Sequence, residues 1–401
     1  MTATTGTVPR GELNRRIGAL QEHLAERGLE VAVILQHVDL YYFAGTIQTC
    51  HLLVPQSGEP RLLVRKVLER ARADSNLEDV RPLASLRRLA DEVRDLCGPP
   101  PWRVGMELDV LPVNLFALYR DRLSEAEIED ISPAVLALRA RKSEWEIDRI
   151  RDAARISDLF YREIGECFEA GISTYELQAI LGCRAAQAGH LGYVRLRGFN
   201  VDGLMGTVVS GPTGALPGHS QFAIGGRGPH PFVAHGGDFE PIQRDMPIIF
   251  DYNANVSGYH HDQTRMAVWG EMPAEAERIY EALRGILRSL EEELKPGACP
   301  ASLYAGALAG AKANALEAGF MGMPGCAVPF VGHAVGLEVD EPPVLARGFD
   351  EALVAGNVLA VEPKFRHPQL GVIGIENTYV VRENGVENLS SSPEDVVRMS
   401  M

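Results

Sequence analysis

Two stretches of the chain each carry a pair of acidic residues within sequence that is otherwise typical of β-strands. The first is PIIFDYNANVSGYHHDQTRMAVWG at 247–270, in which Asp251 and Asp262 lie on either side of a turn predicted at 255–258. A four-residue turn there pairs Asp251 directly with Asp262, and opposed side chains have Cβ atoms about 4.5–5.5 Å apart. Two facing carboxylates repel each other unless a cation lies between them, so this spacing indicates a divalent metal ion.

The second stretch, GNVLAVEPKFRHPQLGVIGIENTYVV at 356–381, repeats the arrangement. A turn centred on Gln369 places Glu362 opposite Glu376. Both acids interrupt apolar strand sequence, where an uncompensated charge costs several kcal/mol. A single acid on an edge strand more often points to solvent, but two independent hairpins that each oppose acid to acid favour a shared cation.

A histidine in a third apolar strand completes the candidate ligand set. His333 lies in FVGHAVGLEVDEPP at 330–343. On its own it would more often be a core residue, but here it accompanies four carboxylates, whose charge balances two divalent ions. Oxygen ligands with one nitrogen favour Mn²⁺, with Co²⁺, Fe²⁺ and Zn²⁺ as alternatives. A water shared by two such ions becomes a hydroxide nucleophile near neutral pH.

The order of predicted strands and helices divides the chain into two domains, and both hairpins lie in the second one. Residues 1–142 read as a small α/β domain and residues 143–401 as an α+β domain. The boundary is marked by Ser143 and Glu146, which form a capping box at the start of a long amphipathic helix.

Composition excludes several classes of protein. The 401 residues carry a net charge of −15, which argues against nucleic acid or an anionic membrane as a partner. No uninterrupted apolar run approaches the length of a membrane span. The six cysteines include no CxxC pair, a pattern typical of reduced thiols, so we expect a cytoplasmic protein.

The residue order Asp, Asp, His, Glu, Glu resembles that of the pita-bread metallopeptidases, a family that includes methionine aminopeptidase, aminopeptidase P, prolidase and creatinase. The phrases GYHHDQTR, GHAVGLEV, VEPKF and GIENTYVV carry the likeness across the second domain. The stretch LEVAVILQHVDLYYFAGT at 29–46 resembles the creatinase-type N-terminal domain, which places the chain near the Xaa-Pro branch.

The resemblance implies a role for each ligand and a fold for each domain. Asp251 would bind one metal alone, while Asp262 and Glu376 would bridge two metals. His333 and Glu362 would complete the second metal, and Glu362 would also relay a proton to and from the reaction. A creatinase-type α/β domain, a pita-bread domain and a homodimer are implied with them.

Three departures from the family pattern concern the substrate side. Asp340 stands where related peptidases carry a histidine, so it either is protonated, binds a substrate amine or is an exposed acid. His219, one residue from the expected register, and His235 compete for the role of the family's upstream histidine. Gly374 stands where the Xaa-Pro branch often has an arginine.

We therefore expect a dinuclear metal-dependent exopeptidase, an Xaa-Pro aminopeptidase or dipeptidase acting on short peptides. The alternative is a small-molecule hydrolase or lyase on the same scaffold, because the metal ligands are kept while residues around them differ. A non-catalytic binding protein is disfavoured, since acids inside strands are hard to explain without metal.

Overall fold

The computed structural model describes residues 6–218 and 222–399. Two compact units divide the chain. One ends at Arg139 and also takes in Arg197–Asn200, and the other comprises Ala140–Leu196 together with the chain from Val201 onward.

The first unit is built on one six-stranded sheet of order β4-β3-β2-β1-β5-β6. Its central strand β1 runs antiparallel to β2 and parallel to β5, so the sheet is mixed. The strands are β1 (Val31–Ile34), β2 (Cys50–Pro55), β3 (Arg61–Val64), β4 (Asp79–Pro82), β5 (Trp102–Met106) and β6 (Ala126–Asp130). The helices are α1 (Arg10–Arg27), α2 (His37–Ala44), α3 (Leu68–Asp74), a 3₁₀ turn (Leu86–Arg88), α4 (Leu89–Cys97), α5 (Val113–Arg122) and α6 (Ser132–Ala140).

The second unit combines helices with three sheets. Their orders are β17-β9-β8-β7, β11-β10-β12-β15-β16 and β13-β14. The helices are α7 (Glu144–Cys167), α8 (Thr174–Gln187), α9 (Gly211–Gly214), α10 (Ala274–Glu293) and α11 (Pro300–Ala313). The strands are β7 (Gly206–Ser210), β8 (Pro247–Val256), β9 (Tyr259–Trp269), β10 (Phe330–Ala334), β11 (Glu341–Ala346), β12 (Val358–Val361), β13 (Lys364–His367), β14 (Gly371–Gly374), β15 (Asn377–Arg382), β16 (Gly385–Asn388) and β17 (Val397–Met399). The predicted α/β and α+β classes are confirmed.

Local sequence signals fix the starts of the two helices that support β8 and β9. Ser143 accepts a hydrogen bond from the Glu146 backbone at the start of α7, and Ser173 does the same with Glu176 at the start of α8. Both are complete capping boxes, as the sequence predicts for α7. The apolar faces of α7 and α8 share a buried core with β8. The strand that carries Asp251 is thereby held against a packed layer.

The β8–β9 hairpin turns at two residues, Ser257 and Gly258. Their φ angles of 53° and 87° are both positive, which is the requirement of the tight hairpin turn that matches strand twist. The prediction of a four-residue turn at 255–258 is therefore wrong. Residues 255 and 256 continue the strand because the short turn lets them keep their ladder hydrogen bonds.

This shorter turn moves the register by two residues. Asp251 pairs with Thr264, and Asp262 pairs with Asn253, so the predicted direct opposition of Asp251 and Asp262 is wrong. Because side chains alternate with a period of two, a shift of two residues leaves both acids on the same face. They are diagonal neighbours across the hairpin instead of directly opposed ones.

The register predicted around Gln369 is confirmed. Val361 pairs with Asn377 in one sheet, and Lys364 pairs with Gly374 in the next. Residue 369 is the midpoint of both pairs, and it is also the midpoint of Glu362 and Glu376. The two glutamates therefore lie opposite each other at the junction between the two paired segments.

Two further observations bear on the composition. Among the described residues, no helix is both long enough and apolar enough to cross a lipid bilayer. All six cysteines are free.

The turn geometry predicts opposite effects of one substitution at two glycines. Gly258→Ala should destabilise the protein by about 1–2 kcal/mol, because an L-residue is strained at positive φ. Gly285→Ala is the matched control, since it lies within α10 and an added Cβ meets nothing within 4 Å. That change should be neutral or stabilising by up to about 1 kcal/mol. The midpoints of urea unfolding compare the two; equal effects would contradict the turn assignment.

Candidate metal centre

Thr264 joins the two hairpins and brings their acids together. It pairs with Asp251 within the β8–β9 hairpin and forms an isolated bridge with Glu376 from the other side. Its hydroxyl Oγ1 donates to Glu376 Oε2 at 2.7 Å. One residue thus aligns an acid of the first hairpin with an acid of the second. We call Asp251, Asp262, Glu362 and Glu376, together with His333, the acidic centre.

His333 reaches the centre from β10. It pairs with Ala360 of β12, two residues before Glu362. Its Nε2 lies 3.4 Å from Glu362 Oε1, and its Nδ1 lies 3.3 Å from the Ala334 carbonyl. The imidazole therefore presents Nε2 to the carboxylates.

The chemistry of the donor set fits a divalent ion. Asp262, His333 and Glu376 each offer a ligand atom, and these atoms lie within 4.8 Å of one another. All three side chains are buried. Burial, followed by the charges of Glu376 and Asp251, raises the pKa of Asp262 well above its usual range. A cation among these atoms would offset that repulsion, and oxygen ligands with one imidazole suit Mn²⁺, Fe²⁺ or Co²⁺.

The neighbours of Asp262 hold it in place from both sides. Asn253, its partner across the hairpin, donates from its amide nitrogen to Asp262 Oδ2 at 2.8 Å and Oδ1 at 3.2 Å when the amide is turned toward the carboxylate. Thr378 Oγ1 donates to the Asp262 carbonyl at 2.7 Å. The carboxylate is thereby aimed at the centre by polar partners instead of by packing alone.

Lys364 contacts three residues of the acidic centre, and the sequence analysis does not predict it there. Its Nζ lies 3.0 Å from Glu376 Oε2 and 3.2 Å from Asp251 Oδ2, and it also contacts Glu362 Oε2. The side chain is 1% exposed. The signal was present in VEPKF, where a lysine follows Glu362 by two residues inside an apolar strand. A lysine inside an apolar strand is as unusual as the acidic residues inside such strands.

Lys364 and Glu362 each stabilise the charged form of the other. Burial lowers the pKa of Lys364, but its three acidic neighbours outweigh that effect and raise the pKa well above the usual lysine value. Burial likewise raises the pKa of Glu362, but the Lys364 charge and the hydrogen bond from His333 bring it down to about 2. Glu362 is therefore an ionised acceptor.

A pocket opens onto the acidic centre within the second unit. Asp251, Asp262, His333, Glu362 and Glu376 all line it. Its apolar wall includes Val194, Leu196, Leu204, Phe222, Ile224, Phe330 and Val339. Metal-binding groups and an apolar surface thus share one opening.

The structure places two of the three predicted substrate residues in this pocket. His235 lines it, is 7% exposed and packs its ring 5.3 Å from that of Phe222, measured between centroids. Asp340 is exposed and also lines the pocket, and its charge is one of those that hold the pKa of His333 above the usual value against the effect of burial. His219 lies outside the described residues.

Arg265 fixes the main chain next to Glu376. Its buried guanidinium donates to the Glu376 carbonyl at 2.7 Å, to the Ser392 carbonyl at 3.0 Å and to the Pro393 carbonyl at 2.9 Å. The arginine therefore links β9, the last predicted ligand and the C-terminal segment, and it does so from outside the pocket.

Both units of the chain resemble known protein families. The sequence profile of metallopeptidase family M24 matches residues 148–383, and that of the creatinase/prolidase N-terminal domain matches residues 16–141. The Xaa-Pro dipeptidase of Pyrococcus furiosus is 24% identical over 388 residues, covering 96% of this chain and all of that protein. The uncharacterized peptidase YqhT of Bacillus subtilis is 27% identical over 299 residues, 74% of each chain.

A solved structure shows the same architecture. The Xaa-Pro dipeptidase from Bacillus anthracis aligns with a TM-score of 0.82 at 22% identity, over 96% of this chain and all of that one. At this level of identity the match shows a shared fold.

Removal of the imidazole tests the ligand group. His333→Ala should weaken binding of Mn²⁺ or Co²⁺ by at least about 100-fold, since even residues that only orient ligands change affinity by about 10–100-fold. His23→Ala is the matched control, because His23 lies on α1 of the other unit. Isothermal titration calorimetry measures both variants. An unchanged dissociation constant in His333→Ala would remove His333 from the ligand set.

Proposed function

The chain belongs to metallopeptidase family M24, as its resemblance to the pita-bread enzymes predicts, and we propose that it is an exopeptidase that cleaves short peptides with proline in the second position. The observation that carries the proposal is the group formed by Asp262, His333 and Glu376, all of which line one pocket. The Xaa-Pro dipeptidases among its relatives support the substrate class.

The metal would be held by residues already gathered in the centre. Asp262, His333 and Glu376 would supply the ligand group, with Glu362 beside His333 and Asp251 beside Lys364. When bound, a divalent ion polarises a carbonyl and lowers the pKa of a coordinated water. Mn²⁺ is our first choice, and Co²⁺, Fe²⁺ and Zn²⁺ are alternatives.

Glu362 is the carboxylate that we propose accepts a proton from the attacking water, as the family resemblance implies. It lines the pocket and is ionised; burial raises its pKa, but the Lys364 charge and the His333 hydrogen bond lower it to about 2 and so make it a weak base. Its Oε2 is held by Lys364, so Oε1, on the His333 side, is the oxygen for proton transfer. A carboxylate in this position can pass the proton on to the leaving amine.

The pocket offers complementary partners to a peptide with a free amino group. Asp340 at its exposed edge can accept a hydrogen bond from a substrate ammonium, as an ionised carboxylate is acceptor-only. His235, beside Phe222, can contact the substrate carbonyl or carboxylate. The apolar wall accommodates an apolar side chain or a proline ring. We include a homodimer and a cytoplasmic location in the proposal as expectations of the family resemblance and the cysteine pattern.

A substrate screen tests the activity. Purified protein loaded with Mn²⁺ or Co²⁺ should hydrolyse Xaa-Pro dipeptides or Xaa-Pro-Yaa tripeptides, and a chelator should abolish turnover until metal is restored. Product amino acids are quantified by chromatography. Amidino and ectoine-like metabolites are the comparison set. Turnover of those compounds without peptide hydrolysis would replace the exopeptidase with the small-molecule hydrolase or lyase.

Asp340 is expected to act on the substrate and not on the metal. Asp340→Ala should leave metal affinity unchanged while raising KM for peptides with a free amino terminus by about 10-fold, the effect of losing one charged hydrogen bond of about 1.5 kcal/mol. Asp350→Ala, at another exposed aspartate, is the matched control. Unchanged kinetics in Asp340→Ala would make Asp340 an ordinary surface residue.

A further inference from the structure

Lys364 places a positive charge inside the ligand set that the sequence predicts for two metal ions. From its contacts we infer that the Lys364 ammonium replaces the ion on the Asp251 side, so that the centre holds one divalent ion and one lysine. The inference rests on the proposed metal centre and changes its composition. It also assigns Asp251 to the lysine instead of to a metal.

The ammonium already uses the oxygens that a second ion would need. In the two-ion arrangement that the resemblance implies, Asp251, Asp262 and Glu376 would all hold the first ion. Here Asp251 Oδ2 and Glu376 Oε2 lie 3.2 Å and 3.0 Å from Lys364 Nζ, which is hydrogen-bonding distance. A divalent ion on the same oxygens would lie next to a like charge in a buried site, where screening by water is weak.

The candidate donors to the remaining ion form a group that shares only Glu376 with the Lys364 contacts to Asp251 and Glu376. Glu376 Oε2 accepts hydrogen bonds from both Lys364 and Thr264, which leaves Oε1 for a ligand shared with Asp262 and His333. Those three residues have donor atoms within 4.8 Å of one another, and Asp251 is not a member of that group. Lys364 also contacts Glu362 Oε2, so Glu362 lies between the ammonium and the donor group of Asp262, His333 and Glu376.

The strand opposite Lys364 carries a glycine, which leaves room for the lysine side chain. Lys364 pairs with Gly374, and a Cβ at position 374 would lie 2.5 Å from Lys364 Cγ. Any larger residue at 374 would displace the lysine stem. Gly374 and Lys364 thus form a matched pair across β13 and β14, which indicates that the lysine position is built into the fold.

A second role for Lys364 is compatible with some of these contacts. A lysine that only donates hydrogen bonds to Asp251 and Glu376 could serve two bound ions, in place of the arginine that the Xaa-Pro branch often has at 374. The two roles differ in the number of metal ions per chain. Metal stoichiometry therefore decides between them.

The first experiment counts ions in the unaltered protein. After equilibrium dialysis against Mn²⁺, elemental analysis should give about one ion per chain, and electron paramagnetic resonance should show an uncoupled Mn²⁺ spectrum. Two ions per chain with a spin-coupled spectrum would overturn the inference and leave the exopeptidase proposal standing. Absence of bound metal would overturn the proposed metal centre itself, so the two failures are distinguishable.

The second experiment removes the lysine side chain. Lys364→Ala should raise the count to about two ions per chain, and the double variant Lys364→Ala with Asp251→Asn should return it to about one. Lys142→Ala is the matched control, because Lys142 is an equally buried lysine paired with Glu341 at 3.0 Å. That control should stay at about one ion. A folded Lys364→Ala protein that still binds one ion would contradict the replacement.

Discussion

Repulsion among the carboxylates of the acidic centre is the constraint that the second unit has to satisfy. A pair of like charges about 4 Å apart costs roughly 4 kcal/mol at an effective dielectric constant of 20. Several such pairs would consume much of the roughly 5–15 kcal/mol by which a protein is stable. The acids can share one buried place if cations lie among them or if some of them are protonated. Lys364 supplies one positive charge from the chain itself, and the donor group of Asp262, His333 and Glu376 is suited to a divalent ion.

The sequence predicted the acids but not all of their geometry. The register around Gln369 was correct because the flanking pairs on both sides share one centre. The register of the first hairpin was wrong by two residues, because Ser257 and Gly258 both adopt positive φ and close a two-residue turn. That error did not move either acid to the other face, since side-chain direction repeats every two residues. The sequence pattern of a hairpin therefore predicts which face of the sheet a side chain lies on more reliably than which residue lies opposite it.

Lys364 shows what pattern reading overlooks. The phrase VEPKF resembles the family pattern as a whole, and that resemblance implies a role for Glu362 but none for Lys364. In the sequence Gly374 stands out only by its difference from the family's arginine, whereas in the structure its lack of a side chain makes room for the Lys364 side chain. The pocket residues Asp340 and His235 were recognised as candidates, but the sequence could not show that both line one opening. Such proximity depends on how loops fold over a sheet, which spacing along the chain does not encode.

The Arg265 guanidinium ties the carbonyl of Glu376 to those of Ser392 and Pro393. The segment at Ser392 and Pro393 is therefore linked to the main chain of Glu376 through Arg265. Proteolytic trimming or a bulky fusion close to Ser392 would loosen the position of Glu376 while leaving every residue of the centre chemically intact. An affinity tag for purification is accordingly better attached at the other end of the polypeptide.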